Sequence, residues 1–250
     1  MDTDRTVEEL IAVARPFWDA EAEVARRFCA GRPTREDWVR YLRAAIYKEL
    51  NPSIGYGSTE GYANALHMEF AEVCAMFPQL DRGIDRREIY ARMHMMTDEF
   101  NHYLVLAEVL EYLLGRDLTP DDPQQLPEDK ILNAMRRRYV ESGDPCLKAV
   151  MGLTEGGGSS TFREMSRLSG GAFEELLAAA MKVIYVDEKD HYTRAARDAA
   201  AAAAAPDDLA RMRTALHEVS VQRVRMRSEM LAWAMPAEEI DALTTAHPLR

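Results

Sequence analysis

The sequence predicts an all-α protein, and three observations carry that prediction. Apolar residues recur at three- and four-residue spacing through most of the chain, capping and turn residues punctuate those segments, and no strand-like alternation is long enough to build a sheet. At 250 residues the chain is long enough for one sizeable core, so we expect a single helical domain.

Val7, Leu10, Ile11 and Ala14 mark a first helix. A second follows Thr34, a natural N-cap, with Trp38, Leu42, Ala45, Ile46 and Leu50 on one stripe and Pro52 as its stop. Asn51 to Thr59 reads as a loop. A third helix is expected from Ser58 to Phe77, where Leu66, Phe70, Val73 and Phe77 form the stripe, Glu69 and Glu72 lie beside it, and Pro78 ends it. After a turn at Asp81 to Gly83, a long helix runs from Asp85 to Leu114 with Gly115 as its C-cap.

Thr119 to Pro127 holds three prolines and reads as a linker, and a helix from Glu128 to Val140 comes next. Asp144 caps the following helix and Pro145 takes its first position. That helix reaches Glu155 and meets Gly156, Gly157 and Gly158. Each helical glycine costs roughly 0.8 to 1.0 kcal/mol relative to alanine. Either the helix breaks there, restarting at the capping-box pattern Thr161 to Glu164, or something approaches the backbone or occupies the room the missing side chains leave. Gly170 and Gly171 turn the chain into a helix from Ala172 to Ala204, and Asp207 or Asp208 caps a last one reaching Ala234.

A formal charge of −11, with Lys and Arg spread among the acids, argues against a nucleic-acid surface and leaves metals, small molecules and proteins as partners. Cys29, Cys74 and Cys146 are too few for a disulfide framework and lack zinc-knuckle spacing, which points to a reducing compartment. With no secretory h-region and no run of about 20 apolar residues, a cytoplasmic protein without a membrane span is expected.

Two copies of one pentad carry the chemistry, Asp98-Glu99-Phe100-Asn101-His102 and Asp187-Glu188-Lys189-Asp190-His191. On a helix, Glu at i and His at i+3 lie about 60° apart in azimuth, so a carboxylate and an imidazole project together and can share one metal ion. Each pentad follows a segment bearing another glutamate, Glu69 before the first and Glu155 before the second. Glu155 and Glu188 lie at matching distances from the Gly170-Gly171 turn and can face each other across a hairpin. The match for Glu69 is rougher, and Glu72 lies close to it as an alternative. His94 falls on a different face from Glu99. Tyr185 and Tyr192 flank the second pentad as core or relay tyrosines, and Met95, Met96, Met151 and Met181 read as packing residues.

Glu69, Glu99-x-x-His102, Glu155 and Glu188-x-x-His191 resemble the ferritin-like di-iron or di-manganese carboxylate pattern, over roughly residues 58–197. The resemblance implies a four-helix core over residues 58–205, with N-terminal helices over 1–57 and a C-terminal helix and tail over 206–250. It implies that Glu69 and His102 serve one metal, that Glu155 and His191 serve the other, and that Glu99 and Glu188 bridge. Two iron ions are the implied cofactors, with manganese as the other metal suited to oxygen and nitrogen ligands. In oxygen-activating members such as soluble methane monooxygenase, ribonucleotide reductase small subunits and acyl desaturases, an Asp before the bridging Glu accepts a hydrogen bond from a ligand histidine. Asp98 and Asp187 occupy those places.

By this likeness the protein is an oxygen-dependent oxidase or monooxygenase that hydroxylates, N-oxygenates or cleaves a small organic substrate. A ferredoxin or reductase would supply electrons, and a homodimer is the family-level expectation. Ferroxidase-type iron handling and manganese catalase-like peroxide disproportionation are the alternatives. The p-aminobenzoate N-oxygenases carry an extra histidine one turn before the second E-x-x-H, where this chain has Ile184, which separates it from that subgroup.

Overall fold

Local capping chemistry sets most helix boundaries. In a computed structural model of the chain, which describes residues 2–50, 70, 71 and 73–248, Asp2 accepts from the Asp4 and Arg5 amides to start α1 (Thr3–Ala30). Thr34 and Asp37 form a reciprocal pair, Asp37 N–H donating to Thr34 Oγ1 at 3.2 Å and Thr34 N–H to Asp37 Oδ2 at 2.9 Å, and open α2 (Arg35–Leu50). The loop expected at Asn51 to Thr59 and most of the third helix, Glu69 and Glu72 included, lie outside the described residues. Residues 73–76 are helical and pass into a 3-10 turn, Phe77–Arg82, at Pro78.

The long helix appears as α3 (Arg86–Leu114), capped by Asp85 and closed by Gly115 in the left-handed region at φ 69°. The linker ends at α4 (Pro127–Glu141). Asp144 and Pro145 then start α5 (Pro145–Val150) as expected, and a 3-10 turn follows, Met151–Thr154.

The glycine run does not break the chain. Glu155 begins α6 (Glu155–Met165), which continues through all three glycines, and Thr161 donates to Gly157 O instead of capping a restart. The reason is tertiary: α1 lies against α6. A methyl on Gly156 would fall 2.5 Å from the Trp18 ring, and one on Gly157 would fall 1.8 Å from a Glu21 carboxylate oxygen. The glycines trade helix propensity for a close approach of α1.

The helix expected from Ala172 to Ala204 is two helices, α7 (Ala172–Glu188) and α8 (His191–Ala202). Lys189 and Asp190, both exposed, separate the two. The last long helix, α9 (Pro206–Met230), ends before Ala234 and is followed by α10 (Ala237–Ala246). The described residues hold no strand, and the fold is all-α.

One cluster of buried apolar side chains extends from Leu10 to Ile240, with Phe17, Tyr41, Leu106, Met151 and Leu177 almost wholly enclosed. Each such side chain contributes about 1.5–3 kcal/mol of transfer free energy before entropy is counted. Contacts run from α2 to α3, from α3 to α7 and from α7 to α6, while α9 lies along α1 and α4. Those first four helices, with the start of α8, carry the carboxylates and histidines of the next section. Among the described residues, no helix is long and apolar enough to cross a membrane.

Candidate metal centre

The last turn of α2 carries Glu49, and the middle of α3 carries Glu99 and His102 on one face. Their ligating atoms all lie within 4.8 Å of one another. Glu155, at the start of α6, meets Glu188, the last residue of α7, and His191, the first of α8, within the same limit. Although the helix breaks between them, Glu188 and His191 keep the expected contact, Oε2 to Nδ1 at 3.0 Å. His102 Nδ1 lies 3.9 Å from Glu188 Oε1 and joins the two groups. The structure therefore brings together Glu99, His102, Glu155, Glu188 and His191.

Glu49 is the residue that the sequence reading missed. It stands where the pattern asked for a first carboxylate, whereas Glu69 and Glu72 lie outside the described residues. The signal was present in α2: Leu42, Ala45, Ile46 and Glu49 share one helical stripe, so a carboxylate continues an apolar face. Its segment, residues 1–57, had been read as N-terminal helices outside the metal core.

The two imidazoles present the same ring nitrogen to the carboxylates. His102 is fully buried; its Nε2 meets Asp187 Oδ2 at 3.2 Å, while its Nδ1 faces Glu49 at 3.5 Å and makes no hydrogen bond. A buried Nδ1 aimed at carboxylate oxygens is the donor arrangement a cation fills, with Asp187 fixing the tautomer from behind. Asp187 thus holds the histidine of the other pentad. Asp98 does not mirror it: its carboxylate bonds His94 Nδ1 at 2.7 Å on the exposed face of α3, though it is close enough to His191 to act on its charge.

Packing these carboxylates together without cations shifts their protonation. Burial, with Glu49, Glu188 and Glu155 nearby, holds Glu99 well above the usual carboxylate range. Burial and the Glu188 charge push Glu155 up to about 7, with Arg136 and His191 pulling the other way. Burial opposes the His102 cation, but Glu49, Glu188 and Asp187 outweigh it and raise the pKa to about 9. The bond from Glu188 raises His191 as well.

Two spaces adjoin the group. An open cleft of about 790 Å³ is lined by Tyr90, His94, Met95, Asp98, Glu155 and His191 among others. A smaller pocket of about 100 Å³ is lined by Glu49, Glu99, Glu155 and Glu188 together with Lys48, Arg136, Arg223 and Arg227. Met95, expected as packing, is exposed at the cleft, whereas Met151 and Met181 are core residues. Tyr192 packs against Trp18 with ring centroids 4.9 Å apart and the planes tilted by 59°. No protein-family model matches the chain, and comparison with curated proteins and solved structures finds no significant match.

Proposed function

We propose that this chain is a ferritin-like dinuclear carboxylate enzyme that uses O2 to oxidise a small organic substrate. The observation that carries the reading is the convergence of two Glu–Glu–His groups, from α2 with α3 and from α6 with the α7–α8 junction. One glutamate from each of two helices and E-x-x-H from each of two others is the ligand plan of such centres. Glu49 and His102 would hold one ion and Glu155 and His191 the other, with Glu99 and Glu188 shared between them. When bound, two iron ions supply the electrons that activate O2, and two manganese ions fit the same donors.

The chain's own residues set the conditions. Asp187 bonds His102 Nε2, which would keep the proton there and leave Nδ1 free to hold an ion. Glu99 and Glu155, whose raised pKa values mark them as proton-holding when no metal is present, give up those protons on loading, so metal affinity rises with pH. Leu106, Met181 and Ile184, all fully buried, supply apolar cover on α3 and α7, the helices of the two pentads. The cleft beside His191 gives a path for substrate and for an external electron donor such as a ferredoxin or reductase.

Reconstitution with Fe(II) without oxygen, followed by rapid mixing with O2 and absorbance recording, tests the proposal. Two irons per chain and a transient visible band are expected, both lost in Glu99→Ala and Glu188→Ala. Iron uptake into a large assembly without such a band would favour iron handling, and peroxide disproportionation by the manganese form would favour a catalase. Absence of metal uptake would contradict all three readings.

A further inference from the structure

Helix α3 is apolar on two faces. Its core face carries Leu106, Val109 and Leu110, all fully buried. On the other face Tyr90, Met93, Thr97, Phe100 and Leu104 follow one another at intervals of three, four, three and four residues. At about 100° per residue these five lie within about 80° of azimuth, turned away from the core face. Tyr90 is 68 % exposed, and Met93, Phe100 and Leu104 are 42–47 % exposed. Thr97, also exposed, donates its hydroxyl to the Met93 carbonyl at 2.9 Å, so the stripe needs no polar partner from outside. Apolar residues on opposite faces mark a helix that is covered on both. A three-four spacing held over two heptads is the pattern of a helix that packs on another helix.

The charges at the two ends of the stripe identify that second helix. One heptad before Met93 stands Arg86, and one heptad after Leu104 stands Glu111, whose Oε1 accepts from the Leu118 amide at 3.0 Å. Two copies of α3 laid antiparallel about a twofold axis set Met93 against Leu104 and Thr97 against Phe100. The same register sets Arg86 of one copy against Glu111 of the other, once at each end. A parallel pair would set like charge against like, which disfavours that arrangement.

We propose that the outer face of α3 is the contact between two copies of this chain, joined as an antiparallel, twofold-symmetric dimer. The proposal uses none of the metal ligands and stands apart from the dinuclear reading. From Arg86 to Glu111 the seam is about 37 Å long at about 1.5 Å per residue. With a helix about 10 Å wide it buries roughly 370 Å² per copy, about half of a standard interface, so the dimer is a reversible one that dissociates on dilution.

Sedimentation velocity of the full-length chain, from about 1 to about 200 µM, tests the proposal. The mass is expected to rise from that of the 28.3 kDa chain towards twice that value. Leu104→Asp, on the stripe, is expected to weaken association at least about thirtyfold. Tyr112→Asp, exposed on the same helix but about 80° round from Leu104, should leave it unchanged. Arg86→Glu and Glu111→Lys should each weaken self-association about tenfold, because each sets like charges together at both ends. An equimolar mixture of these two variants should recover the wild-type affinity, since both ends of the mixed pair again join opposite charges. Circular dichroism identifies the variants that keep the fold; if a charge variant loses it, Leu104→Asp against Tyr112→Asp still decides. A chain that stays monomeric throughout, a dimer that Leu104→Asp leaves intact, or a mixture of folded charge variants no tighter than either alone would overturn the proposal.

Discussion

The two halves of the proposed metal centre use the same residue types in different settings. His102 is fully enclosed in the middle of a 29-residue helix and bonded to Asp187. His191 is 37 % exposed by side chain, begins a new helix after a break, and opens on the cleft. The comparison teaches that an E-x-x-H pair brings carboxylate and imidazole together in either setting, whereas burial and the second bond of the imidazole would decide how firmly each half holds an ion. In the proposed centre the enclosed half would be the tighter seat, and the open half the one that solvent reaches.

The largest effects should come from removing what the halves share. Glu99→Ala and Glu188→Ala are each expected to abolish loading of both ions, read by elemental analysis after dialysis; loss of only one ion would mean that the halves are independent. Next come the histidines. His102→Ala opens a cavity in the core and should cost about 2–4 kcal/mol in denaturant unfolding besides its metal. His191→Ala should cost less than about 1 kcal/mol and lose only the exposed ion. Equal stability losses would erase the proposed difference.

The aspartates sharpen the comparison at smaller scale. Asp187→Asn should weaken metal binding by about 10- to 100-fold in a competition titration with a chelator. Asp98→Asn should change it only a few-fold, since Asp98 spends its hydrogen bond on His94.

The smallest effect is the pH dependence of the metal-free protein. The raised pKa of Glu155 means that the folded chain holds this proton more tightly than the unfolded one. Its stabilisation is therefore complete below the ordinary value of 4.5 and lost as pH rises through about 7. His102 acts in the same direction, its contribution complete below 6.5 and lost as pH passes about 9. With a chelator present, Tm should fall by about 5 °C between pH 5 and 9, and Glu155→Gln should flatten the part below pH 7. Bound metal should reverse the slope, because loading releases those protons.

The sequence was most legible where local chemistry decides the outcome. Asp85 and Gly115 bound α3, Asp144 and Pro145 start α5, and i, i+3 spacing places Glu99 beside His102 without help from the rest of the chain. It was least legible where distant contacts decide. The glycine helix survives because Trp18 and Glu21, more than a hundred residues earlier, pack against it, and no local propensity reports that. The break at Lys189 and Asp190 has no glycine or proline to mark it in the sequence. Glu49 lies outside both pentads and far from them in sequence, although its place on the buried stripe of α2 is legible.

The most direct test of a dinuclear centre with one enclosed and one open half is the Mn(II) stoichiometry of the wild-type chain beside that of Glu49→Ala, both measured by elemental analysis after equilibrium dialysis. Two ions per wild-type chain and one in the variant, the survivor removable by a chelator faster than either wild-type ion, is the predicted result. A wild-type chain that holds no more than one ion, or a Glu49→Ala chain that holds two as tightly as before, would contradict the account.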